Sequence, residues 1–259
     1  MPELSVILVN FNDRQNLETC LHTLFEVVRR EETEILVVDN ASSDGSPEMV
    51  RRRFPRTRLI ENKKNVGFAR ANNQGLMQTE GPLVLFLNTD AKVNAGALEL
   101  LMEEMLNNPQ AGGVGPALKK RKDSYQVSFG RKVDFFYAFF QKAVLNPYYT
   151  WRLKSDSKKR EVGWLSAACL LIRREAVEEA GFFDERFFLY FEDIDLCYRM
   201  RGKGWKLFFL PRARMSHAGG TSTSSVKHLS RYHYRRSQID FYRKHNSGLS
   251  LFFLRWYLR

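Results

Sequence analysis

A few short clusters hold the side chains that could do chemistry. Phe188-Leu189-Tyr190-Phe191-Glu192-Asp193-Ile194-Asp195 places three carboxylates in four positions behind an aromatic run. Acids in a first helical turn complement the helix dipole, which is an ordinary structural use. Three of them against Phe and Tyr exceed what a cap requires. Burial beside those rings raises a carboxyl pKa and makes Glu192 or Asp193 a better general base. Asn88-Thr89-Asp90 ends an apolar run, and a carboxylate there is a hard oxygen ligand for a divalent cation that neutralises a diphosphate. His217 can be a second ligand, although a lone histidine serves as readily as a hydrogen-bonded structural residue. Asp39 can accept from a nucleotide base or ribose, with Asn10 and Asn40 supplying amides. The competing reading is that Asn and Asp simply favour loops.

The elements that must position these groups alternate. Leu4 to Val9 and Glu34 to Asp39 are apolar runs suited to buried parallel strands, as are Leu59 to Glu61 and Leu83 to Leu87. Between the first two, Leu17, Cys20, Leu21, Leu24, Phe25 and Val28 recur at helical spacing, with Asn12 or Asp13 as N-cap. Helices are expected around Pro47 to Arg53, Gly67 to Thr79 and Leu98 to Met105. Strands joined by single helices predict an α/β, mainly parallel, doubly wound sheet. Ligands bind such sheets beyond the carboxyl ends of the strands. Asn10-Phe11-Asn12, Asp39-Asn40 and Asn88-Thr89-Asp90 therefore converge on one rim. A phospho-acceptor role for Asp39 is weak, because Asn10-Phe11-Asn12 stands where an acidic cluster should follow the first strand.

Organisation changes after Ala117. Lys119 to Asp123 reads as a charged loop, and Phe135 to Trp151 as an aromatic insertion without clean periodicity. Val162 to Ile172 reads as extended and apolar, Arg174 to Ala180 as a short helix, and Trp205 to Leu210 as a last strand before His217. From Arg212 to Arg259 there are ten Lys/Arg and one acid, Asp240, within a chain of net charge +12. Leu229, Tyr232, Ile239 and Tyr242 fall on one helical stripe there, followed by the apolar Leu249 to Leu258. This segment suits an anionic membrane interface; a helix packed on the core with a solvated basic face suits it as well. Cys20, Cys169 and Cys197 lack paired spacing and read as buried thiols of a reducing compartment. No signal peptide and no run of roughly 20 apolar residues is visible. The expected location is cytoplasmic, peripheral at the inner face of the cytoplasmic membrane.

Taken together in order, VILVNFN, VVDNASSDGS, NKKNVGFARANNQG, LFLNTDA and FLYFEDIDLCYRMRGKGWK resemble glycosyltransferase family 2, a GT-A fold, and within it the rhamnosyltransferase-like members. The resemblance spans about Leu4 to His217 and extends to the Tyr232 to His245 helix. It implies an inverting, metal-dependent transferase using a nucleotide-diphosphate sugar (dTDP- or UDP-linked, rhamnose first) with Mg²⁺ or Mn²⁺. The acceptor would be a hydroxyl of a cell-surface glycan or lipid-linked molecule. Carried over by position, Asn10, Phe11 and Asn12 lie at the nucleotide pocket, Asp39 and Asn40 reach base or ribose, and Arg70 and Asn72 lie in the next nucleotide-side segment. Asn88 and Thr89 precede the metal ligand Asp90, which His217 joins. Asp193 is the general base, with Glu192 the runner-up. The usual DxD motif stands here as Asn88-Thr89-Asp90, an amide replacing the first carboxylate. The expected division is a GT-A domain over 1–225 (nucleotide half 1–117, acceptor half 118–225) and a basic helical segment over 226–259.

Two rivals differ in class. A nucleotidyltransferase of similar fold needs a Gly-rich basic loop after the first strand, and Asn12-Asp13-Arg14-Gln15 is not one. A non-catalytic basic lipid- or nucleic-acid-binding protein fits the charge, but no aromatic-basic nucleic-acid motif accompanies it, so no nucleic acid is expected. A monomer and a dimer fit the sequence equally.

Overall fold

The structure, a computed structural model, describes residues 2–28, 31–120, 124–141, 145–153, 155–217 and 227–258. Four parallel strands form one half of the sheet: β1 (Leu4–Asn10), β2 (Thr33–Asp39), β3 (Arg58–Glu61) and β4 (Leu83–Asn88). Helices α1 (Arg14–Val27), α2 (Ser46–Arg53) and α3 (Phe68–Met77) make the crossovers. The other half contains β5 (Ala91–Lys92), β6 (Ala111–Lys119), β11 (Cys169–Arg173) and β12 (Lys206–His217). The order is β3-β2-β1-β4-β11-β6-β12-β5. Only β11 and the two-residue β5 oppose the other strands on this path. The short β7 (Tyr125–Gln126) and β9 (Arg160–Val162) add to β6 and β12.

Alternation along β1 shows why both faces are covered. Leu4, Val6 and Leu8 enter one core with Leu17, Leu21 and Leu24 of α1 and with Leu98 and Leu101 of α4 (Ala95–Asn107). Ile7 enters the other with Leu76 of α3, Val177 of α7 (Arg174–Glu179) and Leu196 of α8 (Glu192–Gly202). Successive strand side chains point to opposite faces, so a near-continuous apolar run serves two layers. All three cysteines are free and buried.

Three sequence expectations need correction. Val162 to Ile172 is not one extended element. It divides into the end of β9, β10 (Trp164–Leu165) and β11, with 166–168 between them outside any strand. β10 pairs with β8 (Phe129–Gly130) in a separate two-stranded sheet. The aromatic insertion is helical, as α5 (Phe135–Phe140) and α6 (Asn146–Arg152). The Leu229–Tyr242 stripe is split: Tyr242 is buried in α9 (Lys227–His245), while Leu229 and Tyr232 at its start are exposed. Most of the expected charged loop at 119–123 lies outside the described residues.

The chain's last helices close over one end of the sheet. Phe241 and Tyr242 of α9 and Leu254 of α10 (Gly248–Tyr257) pack on Phe187 and Phe191. Among the described residues, no helix is long and apolar enough to cross a membrane.

Candidate active site

Register brings the polar strand ends to one rim. Asn10 pairs with Asp39 across β1 and β2, and Val9 with Asn88 across β1 and β4. Beyond them opens a cavity of about 580 Å³, within the size range of small-molecule sites. Phe11, Asn40, Asn88, Thr89, Asp90, Glu192, Asp193 and His217 line it. Residues separated by more than 200 positions thus share one cleft.

Asp90 and His217 meet because of the short strand β5, which sequence reasoning missed. Its pairing sets His217 opposite Ala91. His217 Nε2 then stands 3.0 Å from Asp90 Oδ1, both side chains 5 % exposed. His217 Nδ1 lies 3.1 Å from Gln126 Oε1, and Asn88 Nδ2 lies 3.3 Å from Nε2. In the tautomer with Nδ1–H donating to Gln126 Oε1, Nε2 is the accepting nitrogen, facing both Asn88 Nδ2 and the Asp90 carboxylate. Two acceptors facing each other need a cation between them or a proton on one. A carboxylate and an imidazole side by side on the cavity wall are the side chains that would hold a divalent cation here. No group of three or more His, Cys, Asp and Glu among the described residues offers an all-protein cage. Remaining positions would fall to phosphate oxygens and water, as is usual for Mg²⁺.

The paired acids occupy the first turn of α8. Asp193 Oδ2 accepts from Ala167 N at 3.0 Å and Oδ1 from Ile194 N at 2.8 Å. Burial lifts the Asp193 carboxyl above the ordinary aspartate value, although these N–H groups pull the other way. Glu192 is 4 % exposed and its Oε2 has no partner among the described residues. Burial, then the neighbouring Asp193 charge, lifts Glu192 well above the usual carboxylate range. Both adjacent carboxyls are thus shifted upward, Glu192 the more strongly. Just before them, Tyr190 and Phe191 both hold left-handed backbone (φ 69 and 68), which is costly for bulky residues and clusters at functional sites.

Other expected residues stand behind the cavity or away from it. Asn10 and Asp39 are buried and bonded to each other, Asn10 Nδ2 donating to Asp39 Oδ1 at 2.8 Å. Asp39 Oδ2 accepts from Ser42 N at 2.8 Å. They clamp the β1 and β2 ends and do not line the cavity. Asn12, at φ 50, takes Ser43 N on its Oδ1 and shapes the same turn. Arg70 points to Glu185 at 3.7 Å, and Asn72 donates to Phe68 O within its own helix. Neither Arg70 nor Asn72 lines the cavity, because helical geometry turns them outward and back into α3. Thr89 does line it, while its hydroxyl donates to Asp13 at 2.8 Å.

Sequence reasoning missed Gln126, Lys120 and the wall contributed by Leu229, Ser230 and His233 of α9. Gly67 was expected only as the start of a helix. At φ 87 and ψ 170 it occupies a glycine-only region, and a Cβ there would stand 2.6 Å from Phe188 O. Phe68 N donates to that same oxygen at 2.8 Å. The start of α3 and the acid-bearing loop are thus in backbone contact.

This fold, a mainly parallel α/β sheet with helices on both faces and a cleft at its polar rim, is the GT-A glycosyltransferase fold. The chain belongs to glycosyl transferase family 2, whose family model matches residues 5–181. It is 31 % identical over 278 residues to the N-acetylglucosaminyl-diphospho-decaprenol L-rhamnosyltransferase of Mycobacterium tuberculosis, covering 99 % of this chain and 89 % of that protein. It is 25 % identical over 215 residues to the glycosyltransferase AglE of Haloferax volcanii, covering 81 % of this chain and 64 % of that one. Among solved structures, the Pyrobaculum calidifontis mannosyltransferase in complex with GDP-Man and Mn²⁺ superposes with TM-score 0.67 at 20 % identity, over 95 % of this chain and 65 % of that one.

Proposed function

We propose that this chain is an inverting rhamnosyltransferase that acts on a lipid-linked glycan, with Asp193 as general base. The carrying observation is the presence of Asp193, Asp90 and His217 on one cavity of about 580 Å³. The relative matched over 99 % of the chain supports rhamnose as the sugar and a diphospho-prenol-linked acceptor.

In this reading Asp193 removes the proton from an acceptor hydroxyl. The freed oxygen attacks the anomeric carbon of the dTDP- or UDP-linked donor from the face opposite the diphosphate. A new C–O bond forms as the anomeric carbon–phosphate oxygen bond breaks, the nucleotide diphosphate departs with the electron pair, and the configuration inverts. Asp90 and His217 would hold Mg²⁺ or Mn²⁺, and such an ion supplies positive charge to the leaving diphosphate. Lys120, on the same cavity, adds a second cation for the phosphates. Gln126 holds the His217 ring in the tautomer that offers Nε2. The N–H groups of Ala167 and Ile194 hold the Asp193 carboxyl in place and favour its ionised form against the opposing effect of burial.

An acceptor on a lipid requires access to a membrane surface. Leu249, Phe252 and Trp256 of α10 stand 62 %, 62 % and 69 % exposed at helical spacing, next to the basic α9. We take this face as the contact with anionic lipid on the cytoplasmic side.

The test combines binding and transfer. Melting temperature is measured against dTDP-rhamnose and UDP-sugars with and without Mn²⁺, then transfer to a short-chain N-acetylglucosaminyl-diphospho-prenol is followed by mass spectrometry. A donor- and metal-dependent rise in melting temperature together with a rhamnosylated product is expected. No product from any donor would overturn the reading.

A further inference from the structure

The wall that α9 adds to the cleft contains a histidine whose ring nitrogens bond no described residue. His233 lines the cavity, half-buried, and its ring stacks on Phe188 with centroids 4.4 Å apart and planes 22° from parallel. Neither ring nitrogen hydrogen-bonds any described residue, and Nδ1 is buried. The surroundings of this part of α9 are otherwise aromatic: Tyr234 meets Tyr190 and Phe191, and Phe241 meets Phe191. A Phe or Leu in place of His233 would stack as well and spare the cost of an unsatisfied polar atom. Structural histidines are satisfied by a neighbour. This one is not.

The ring is also held still. Ser237, one helical turn on, donates to Leu189 O at 2.9 Å, and Ser230, one turn back, meets Tyr190 Oη at 2.7 Å. Both contacts reach the loop that leads into Glu192 and Asp193. Burial, then the neighbouring Arg236, holds the ring's pKa below the ordinary histidine value, which favours the neutral ring. A neutral imidazole can donate or accept at Nε2 according to tautomer, which matches a hydroxyl, itself both donor and acceptor.

We infer that His233 is a sugar-contacting residue: its Nε2 hydrogen-bonds a hydroxyl of a sugar ring lying in the cleft beside Phe188. This deepens the transferase reading and rests on it. The same chemistry is offered by the donor sugar and by the acceptor sugar, and the experiment separates them.

His233→Phe keeps the stack on Phe188 and removes both nitrogens; His233→Gln restores an amide. Steady-state KM for dTDP-rhamnose and for the short-chain N-acetylglucosaminyl-diphospho-prenol is measured for each, with the affinity for dTDP alone and the melting temperature as controls. H233F is expected to raise one KM about five- to tenfold, the loss of one hydrogen bond, with dTDP affinity and melting temperature unchanged and H233Q partly recovering. A rise confined to the acceptor KM assigns the acceptor ring, and one confined to the donor KM assigns the donor ring. Unchanged KM values in H233F, or a parallel fall in dTDP affinity, overturn the inference. If the wild-type chain transfers and H233F equals it, only His233 is misassigned. If the wild-type chain neither binds dTDP-rhamnose nor transfers, the transferase reading fails first. Should H233F not fold, H233Q with wild-type melting temperature and a KM change in neither substrate is equally decisive against it.

Discussion

His217 Nε2 and Asp90 Oδ1 face each other at 3.0 Å, the one at the end of β12 and the other in the turn that leads from β4 to β5. Gln126 takes up the opposite ring nitrogen at 3.1 Å, which leaves Nε2 with a lone pair. Replacing Asp90 with Ala should lower Mn²⁺ and donor affinity together. Gln126→Leu should lower Mn²⁺ affinity roughly 10- to 100-fold, the usual cost of removing the group that orients a ligating histidine. Calorimetric titration of Mn²⁺ in the presence of dTDP checks both, and equal affinities for Q126L and wild type would remove the pair from metal binding.

Asp193 supplies the second prediction. As the base it acts ionised, so activity is present above its pKa and declines as pH falls through it. Because burial raises that pKa, the acid limb of kcat/KM should lie above the ordinary aspartate value of about 3.9. Asp193→Asn should reduce kcat by about 10²- to 10⁴-fold while donor affinity stays within about twofold. An acid limb that persists unmoved in the residual activity of D193N would assign it to another group.

Gly67→Ala tests the contact between α3 and the acid loop. The new Cβ would have to push Phe188 O from 2.6 Å, at a backbone conformation that alanine resists. A destabilisation of about 2 kcal/mol is expected, with a fall in kcat larger than lost stability accounts for, because the displaced loop leads directly into the first turn of α8, where Asp193 stands. Urea denaturation and kcat at a temperature well below melting separate the two effects.

How far the sequence alone reaches follows from what kind of pattern each feature leaves. β1, β2, β4 and their helices leave periodic apolar runs, so the sheet and its polar ends were legible. Asp90, Asp193 and His217 were legible because acids and histidine at strand and helix ends are conspicuous. β5 was not, since two residues carry no periodicity and its partner residues lie 124 and 126 positions away (Lys92 to Ser216, Ala91 to His217). Nor was the break at 166–168, where a single polar residue, Ser166, in a mostly apolar run is all that marks a change of sheet. Arg70 and Asn72 were over-read because residue type says nothing of which side of α3 they take. His233 passed unnoticed inside a basic stretch: only coordinates distinguish a histidine with idle nitrogens from a solvated one.

Asp195 ties the last helices to the site. Its carboxylate is fully buried, with His245 Nε2 at 2.6 Å and Lys244 Nζ at 2.7 Å on Oδ1, and Arg199 Nε at 2.8 Å on Oδ2. Burial pushes this carboxyl up, and the three partners more than offset it, holding it below the ordinary value. A depressed folded-state pKa contributes stability that is present above the unfolded value of about 3.9 and lost as pH falls through the folded one. Asp195→Asn should therefore cost about 3 kcal/mol at pH 7, since it strands cations that remain partly solvated. The gap between D195N and wild type should narrow once the pH falls below about 4. Urea melts at several pH values check this, and a gap independent of pH would mean that shape rather than charge is what Asp195 contributes.

The exposed face of α10 leads to the last prediction. Leu249, Phe252 and Trp256 recur at i, i+3 and i+7, while Leu254 is buried on the opposite side of the helix. Apolar side chains left in water on one helical stripe are unusual for a face with no partner, and an interfacial helix buries such a stripe among acyl chains. Basic residues of α9, Arg231 and Arg236 among them, are exposed and would meet anionic head groups. Replacing Leu249, Phe252 and Trp256 together with Ser should reduce binding to phosphatidylglycerol vesicles by tenfold or more, since each buried side chain is worth about 1.5–3 kcal/mol. The melting temperature should hold, because these side chains are mostly solvated already. Wild-type binding should weaken as salt rises from about 0.05 to 0.5 M, through screening of the basic residues. Transfer to a soluble short-chain acceptor should stay at the wild-type rate in the triple variant, while transfer to a long-chain acceptor held in vesicles falls. Equal vesicle binding by the two proteins would assign the stripe to something other than lipid.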